Sequence, residues 1–329
     1  MAIIPNSTTD HGANANSGAL VYESNRTQLL MLGGKNNSQG FSSTWTLADG
    51  ATNWSLLTPT TSPGIRFDHA MAYNNGTTMV FGGTDGLNIL DDVWTWNGTT
   101  WTLVSQYIAQ SLGPTKRFGH AMATNNSNNT IMFGGFGTTT LGNQILGETW
   151  QWSGGLWTQL SPSVQPPFRM QHSMAAAGAN IYMFGGEGGV GATSLLNDLY
   201  VFNGTNWSAV NTAGTVIGTS IPGARARAVM TYDSSRNQLV LFGGRDGTHV
   251  FNDTWIFNIG SSTWSLASTT VHPTRRYDSV MAYSTGTSSS VLFGGKSENK
   301  ENLGDVWSYG TSWSGAGDFN AAQSTGPVF

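Results

Sequence analysis

A chain of 329 residues with 14 basic and 18 acidic side chains carries a net charge of −4, which argues against a phosphate backbone or an anionic membrane surface as its partner. Hydrophobic residues make up 38% and charged residues only 10%, which excludes a disordered polyelectrolyte, and the lack of cysteine excludes disulfides and thiolate chemistry. No apolar run approaches the ~18 residues of a membrane-spanning helix, and the opening Met-Ala-Ile-Ile-Pro lacks the basic and apolar regions of a signal peptide.

The 43 glycines, with abundant Ser, Thr and Asn, predict many tight turns between short strands, hence an all-β fold. A glycine pair recurs at Gly33-Gly34, Gly82-Gly83, Gly134-Gly135, Gly185-Gly186, Gly243-Gly244 and Gly294-Gly295, about 50 residues apart. Each pair closes an apolar run such as Thr78–Phe81 or Leu239–Phe242. Doubled glycine at a fixed place marks backbone that a Cβ would obstruct. Ahead of the run lies another candidate strand, as in 68–73. After the pair comes an aromatic hairpin, clearest in Val93–Trp101, where Asn97-Gly98 predicts a type I′ turn. Four strands per repeat follow, repeated around an axis as in a propeller.

The double glycine, the acid-aliphatic-Trp strand of Asp92-Val93-Trp94, a second Trp, and the Pro and Arg that open the next unit together resemble the kelch repeat. The resemblance covers residues 15–314 and implies a six-bladed β-propeller with four antiparallel strands per blade. Residues 1–14 form an N-terminal segment whose Ala2-Ile3-Ile4 could close the ring as an added strand, and the tail 315–329 is too short for another blade.

Aligned repeats place Arg66, Arg117, Arg169, Arg225 and Arg276 at one position, and Asp92, Glu148, Asp198, Asp253 and Asp305 at another. The first repeat has Ala15 and Ser43 instead. Loss of both charges from one repeat predicts structural Arg–carboxylate pairs, because either partner alone near the ring would be costly. His69, His120 and His172 follow the arginines by three residues. They read as satisfied structural histidines, since equivalent positions of a ring spread apart whereas metal ligands converge. The hairpin tryptophans, Trp94, Trp101, Trp150, Trp157, Trp207, Trp255, Trp264, Trp307 and Trp313, read as packing between blades.

In such a meander the loop after the second strand and the loop into the next blade share one face, and every basic residue except Arg26 and Arg236 maps to it. Asp68, Asp278 and other acids share that face, which suits a polar ligand better than a polyanion. Residues that break the repeat there are the candidate ligand-binding set: Lys35, Asp85, Phe136, Glu187, Arg245 and Lys296 after the glycines, and Lys116, Arg227 and Arg275 beside the ring arginines. No compact catalytic constellation, cofactor motif or metal-ligand motif is found. The kelch resemblance implies a binding module for a protein or glycan, with neither nucleic acid nor membrane insertion involved.

Two other readings stand beside it. The resemblance extends to sialic-acid mutarotases, in which case Glu187 and Arg245 would supply acid–base groups; galactose oxidase chemistry is excluded, since it needs a Cys-linked Tyr. The ring could instead be a self-assembling surface protein. The Ser/Thr/Asn-rich composition and the Asn-X-Ser/Thr sites, among them Asn6, Asn53, Asn75, Asn97, Asn203 and Asn252, point to an extracellular or cell-surface setting.

Overall fold

The alternation of apolar run, glycine pair and aromatic hairpin becomes six four-stranded antiparallel sheets in the computed structural model, which describes residues 16–51, 53–106, 113–188, 194–210 and 221–316. The first sheet comprises Ala19–Glu23, Gln28–Leu32, Thr44–Ala48 and Ser55–Leu57; the second, Ala70–Asn74, Thr77–Phe81, Asp92–Trp96 and Trp101–Gln106; the third, Ala121–Thr124, Thr130–Phe133, Thr149–Ser153 and Leu156–Leu160. The fourth comprises Ser173–Ala177, Asn180–Phe184, Leu199–Phe202 and Trp207–Ala209; the fifth, Val229–Asp233, Gln238–Phe242, Thr254–Asn258 and Thr263–Leu266; the sixth, Val280–Ser284, Ser289–Phe293, Val306–Tyr309 and Trp313–Ala316. Asp68 and His69 precede the strand that 68–73 was expected to begin.

Second strands such as Thr77–Phe81 and Gln238–Phe242 are buried on both faces after their first residue. That explains their continuous apolar runs: each is covered by neighbouring sheets on both sides. The first strands touch their neighbours in cyclic order, the first sheet's meeting those of both the second and the sixth. Ring closure rests on these contacts. The Ser17 amide donates to the Asp278 carbonyl at 2.9 Å, Asn16 Nδ2 donates to Asn302 Oδ1 at 2.7 Å, and Trp54 packs on Phe293 at 5.1 Å between ring centroids. The Ala2–Ile4 segment lies outside the described residues.

Fourth-strand tryptophans do pack across sheets. Trp157 meets Phe81 at 5.4 Å, Trp207 meets Phe133 at 5.5 Å, Trp264 meets Phe184 at 5.5 Å and Trp313 meets Phe242 at 5.0 Å, at 64–69° between planes. Such edge-on contacts add about 0.5–1.5 kcal/mol each beyond area burial. Where the preceding sheet offers a threonine, the indole N–H has a partner: Trp101 donates to Thr44, Trp207 to Thr149 and Trp313 to Thr254. Trp94, Trp150 and Trp307 are only half-buried.

The Asn97-Gly98 hairpin departs from the expected type I′ turn. Trp96 pairs with Trp101 across a longer loop, only Gly98 has positive φ, and Asn97 Oδ1 accepts the Thr99 and Thr100 amides at 2.9 and 3.0 Å. A side-chain acceptor sets this turn in place of two left-handed residues. Gly154-Gly155, both at positive φ between paired Ser153 and Leu156, does have the two-residue geometry.

All five arginines form the expected pairs: Arg66–Asp92 at 2.8 Å, Arg117–Glu148 at 3.2 Å, Arg169–Asp198 at 2.7 Å, Arg225–Asp253 at 2.6 Å and Arg276–Asp305 at 2.5 Å. Each Nη1 also donates to the carbonyl of its repeat's first glycine at 2.9–3.1 Å. The same arginine's carbonyl accepts the preceding repeat's second glycine amide at 2.8–2.9 Å. A Cβ on Gly33, Gly82 or Gly243 would lie 2.5–2.7 Å from that carbonyl, and both glycines of each pair have positive φ. One residue therefore binds its own sheet by its side chain and the neighbouring sheet by its backbone.

His69, His120 and His172 are buried, at 5–7% exposure, with no hydrogen-bond partner on either ring nitrogen. They are structural; the backbone of Leu32 and of Phe81 stands near the His69 and His120 rings without a well-aligned hydrogen bond. His120 lies edge-on to Phe81 at 5.4 Å and His172 to Phe133 at 5.8 Å. Burial, reinforced by the Arg117 charge, holds the His120 imidazolium down to about 3, and burial beside arginine likewise depresses His69 and His172.

Two outcomes follow. Asp305→Ala should destabilise the ring by about 3–5 kcal/mol by stranding the buried Arg276, whereas Arg276→Met with Asp305→Leu should recover most of that loss; denaturant midpoints compare them. Because the unfolded chain binds protons at these histidines below about pH 6.5 and the folded chain does not, stability must fall on acidification. His120→Ala, which copies Ala228 of the fifth repeat, should remove about 2 kcal/mol of the loss between pH 7.5 and 5; an unchanged pH slope in urea melts refutes this.

Candidate functional site

Two residues after each ring arginine the backbone turns left-handed, and the six equivalent residues form a closed circle of hydrogen bonds. The amide of Asp68 donates to the carbonyl of Ser17, Gly119 to Asp68, Gln171 to Gly119, Arg227 to Gln171, Asp278 to Arg227 and Ser17 to Asp278, at 2.6–3.2 Å. All have φ between 54° and 65°. Only Gly119 takes this conformation freely, so the circle over-determines an otherwise unfavourable backbone at its other five members.

A second ring surrounds the first. The residue after each ring arginine pairs with the residue after the glycine pair, as in Phe67–Thr84, Phe118–Phe136, Met170–Glu187, Ala226–Arg245 and Tyr277–Lys296, with Asn16–Lys35 in the first repeat. The expected loops after the glycines are thus short β-bridges or hairpins, which hold Lys35, Thr84, Phe136, Glu187, Arg245 and Lys296 at one register position. Thr84, not Asp85, is the member from the second repeat. Asp85 instead accepts the Leu87 and Asn88 amides at 2.8 and 2.6 Å, and these bonds hold its carboxyl below the usual range; it serves its own turn.

Between the rings, charges converge. Arg227 Nη1 meets Asp278 Oδ2 at 2.5 Å, Lys35 Nζ stands 3.7 Å from Asp68 Oδ2, and Lys35 also lies 4.0 Å over the Phe67 ring. Burial and the facing Asp278 carboxylate push the Asp68 carboxyl up, against the opposing pull of Lys35 and Arg227. Burial opposes the Arg227 charge, but Asp278 and Asp68 outweigh it and raise that pKa. Lys296 is lowered by burial, with Lys35, Arg227 and Lys300 adding repulsion against Asp278. Gln171 Oε1 and Arg227 Nε are buried without a protein partner.

Of the predicted residues, the structure brings Lys35, Arg227 and Lys296 together around the two aspartates. Arg245 borders them, with its guanidinium 5.1 Å over Tyr277. Phe136 packs against Phe118, the rings tilted with centroids 5.4 Å apart. Lys116 and Arg275 are exposed beside their ring arginines, and Glu187 shares no ion pair with Arg245 among the described residues. Asp68, Gln171 and Asp278 escape the sequence reading as a set; their signal is that the position two after the arginine varies freely between repeats. No group of three or more His, Asp or Glu placed to hold a metal occurs among the described residues.

An acid whose surroundings disfavour its charge lowers stability above its unfolded pKa. Asp68→Asn should therefore stabilise the protein at neutral pH, with the gain vanishing as pH falls below about 4; paired thermal melts at pH 7 and pH 3.5 test it.

A family model described as the KLHDC2/KLHL20/DRC7 Kelch-repeats domain matches residues 4–186 and 171–315. Tip elongation aberrant protein 1 of Schizosaccharomyces pombe is 27% identical over 223 residues, which cover 63% of this chain and 18% of that protein. Adagio-like protein 1 of Oryza sativa subsp. japonica is 27% identical over 168 residues, covering 48% and 26%. N-(sulfonatooxy)prop-2-enimidothioate sulfolyase of Thlaspi arvense is 36% identical over 103 residues, covering 31% and 28%. The matched stretch thus spans no more than 28% of any of these three relatives. With the family model running across the repeats that build the ring, the chain belongs to the kelch-repeat family and folds as a kelch β-propeller.

Proposed function

We propose that this propeller is a binding module that engages a polar partner, a protein or a glycan, over the axial face, in an extracellular or cell-surface setting. The observation that carries the reading is the axial cluster. Gln171 Oε1 and Arg227 Nε are buried without partners, although native proteins leave few such atoms unpaired, and the Asp68 charge is kept where burial opposes it. Strain and electrostatic cost held at one place on a rigid ring are the marks of a site selected for contact. Lys35, Arg245 and Lys296 add donors around it, so a ligand rich in hydroxyl or carboxylate oxygens fits better than an apolar one. The family supports the interaction role, kelch propellers generally serving as protein-interaction modules. The glycan alternative and the setting rest on the mixed charge of the face and on the Ser/Thr/Asn-rich composition.

The test screens the full chain on a glycan array and against a displayed peptide library. A specific ligand from either arm should lose at least tenfold in affinity in Arg245→Ala with Lys296→Ala, and weaken with added salt. It should be unaffected by Leu156→Ser, at an exposed strand end beside the Gly154-Gly155 turn on the opposite face. Binding that responds to Leu156→Ser and ignores the double substitution overturns the assignment of the face.

A further inference from the structure

Interfaces between consecutive sheets are filled by one repeated aromatic side chain on the third strand. Trp96, Trp152, Phe202, Phe257 and Tyr309 occupy that place, each 5.0–5.4 Å from the fourth-strand Trp of its own sheet. Each packs on the second strand of the preceding sheet: Trp96 joins Leu30 and Leu32, and Tyr309 joins Val240 and Phe242. The first sheet breaks the rule. Leu47 stands two residues after Trp45, as Trp96 stands two after Trp94, and it faces Val291 and Ala282 across the seam where the ring closes.

Beside Leu47 the seam holds a cleft of about 340 Å³, lined by Leu29, Leu47, Val291 and Val306, with Asp49 and Ser308 among its polar walls. That volume and that mostly apolar lining with few polar groups suit a small molecule. The Asp49 carboxylate is fixed by the Tyr22 hydroxyl and the Ser284 hydroxyl, each at 2.6 Å, and each of its oxygens retains a free lone pair. Its neighbours Ala48 and Gly50 are exposed, so the carboxylate stands where the cleft meets solvent.

We propose that this seam cleft binds a planar aromatic ring bearing an N–H or ammonium donor, the class represented by indole and its amines. The ring takes the place that an aromatic side chain takes at the other interfaces, against Leu47 and Val291, and the donor meets Asp49. A cleft with an apolar floor and a few polar groups at its rim suits a small amphiphilic aromatic molecule.

Ligand-observed NMR and calorimetry on the full chain, with indole and tryptamine as probes, test this. Indole should bind with Kd on the order of 0.1–1 mM, and tryptamine more tightly. Leu47→Trp, which restores the repeat's aromatic, should lower indole affinity at least tenfold while leaving Tm unchanged or higher; Val291→Phe, which fills the cleft from the other wall, should do the same if the first variant folds poorly. Asp49→Asn should abolish the preference for tryptamine. Absence of indole binding at several millimolar, or binding that survives both filling substitutions, overturns the proposal.

Discussion

The arginine that opens five of the repeats is the constraint from which the rest of the ring takes its geometry. Its guanidinium is buried, paired to a carboxylate and bonded to a glycine carbonyl of the same sheet, while its own carbonyl receives the glycine amide of the preceding sheet. Burying that charge is unfavourable until both sets of bonds are made. Repeat spacing, the doubled glycine and the acid at the start of the third strand or just before it are therefore one device, and each loses its reason without the others. The first repeat, which lacks both charges, sits at the closure and is held by the Ser17 and Asn16 bonds and by Trp54 on Phe293.

Above this interlock the chain makes a second, looser kind of ring. The circle of amide-to-carbonyl bonds from Ser17 to Asp278 fixes six positions through the backbone alone, whatever side chain each carries. Scaffold and site are thus separated within three residues: the arginine recurs in five of the six repeats, while the residue two further on is Ser, Asp, Gly, Gln, Arg or again Asp. In this chain the variation has concentrated opposite charges at the axis, in surroundings that raise the Asp68 pKa. The position after the glycines behaves alike, being held by a β-bridge and free in identity from Lys35 to Lys296.

The repeat also makes its own exceptions readable. A leucine where the other sheets place Trp, Phe or Tyr is unremarkable in isolation. Within a ring of equivalent interfaces it marks the one seam that is filled differently, and the cleft beside Leu47 lies at that seam.

Much of the molecule was legible in the order of its residues. Fold class, four strands to a repeat, the glycine pairs, the Arg–carboxylate pairs and the tryptophans between sheets all follow from periodic residues, because a repeated packing requirement leaves a repeated sequence mark. Local turn chemistry was less secure: the Asn97 side chain, by capping two amides, replaced the expected turn. The histidines read correctly as structural, but their unpaired ring nitrogens depend on surroundings no local pattern encodes. The axial cluster was decided by tertiary structure alone. Lys35, Asp68, Arg227, Asp278 and Lys296 come from different repeats, and only closure of the ring brings them within range of one another. The positive φ values of the inner circle carry a glycine signature at Gly119 alone; at Ser17, Asp68, Gln171, Arg227 and Asp278 that backbone is imposed by hydrogen bonds from neighbouring sheets and not by the residues themselves.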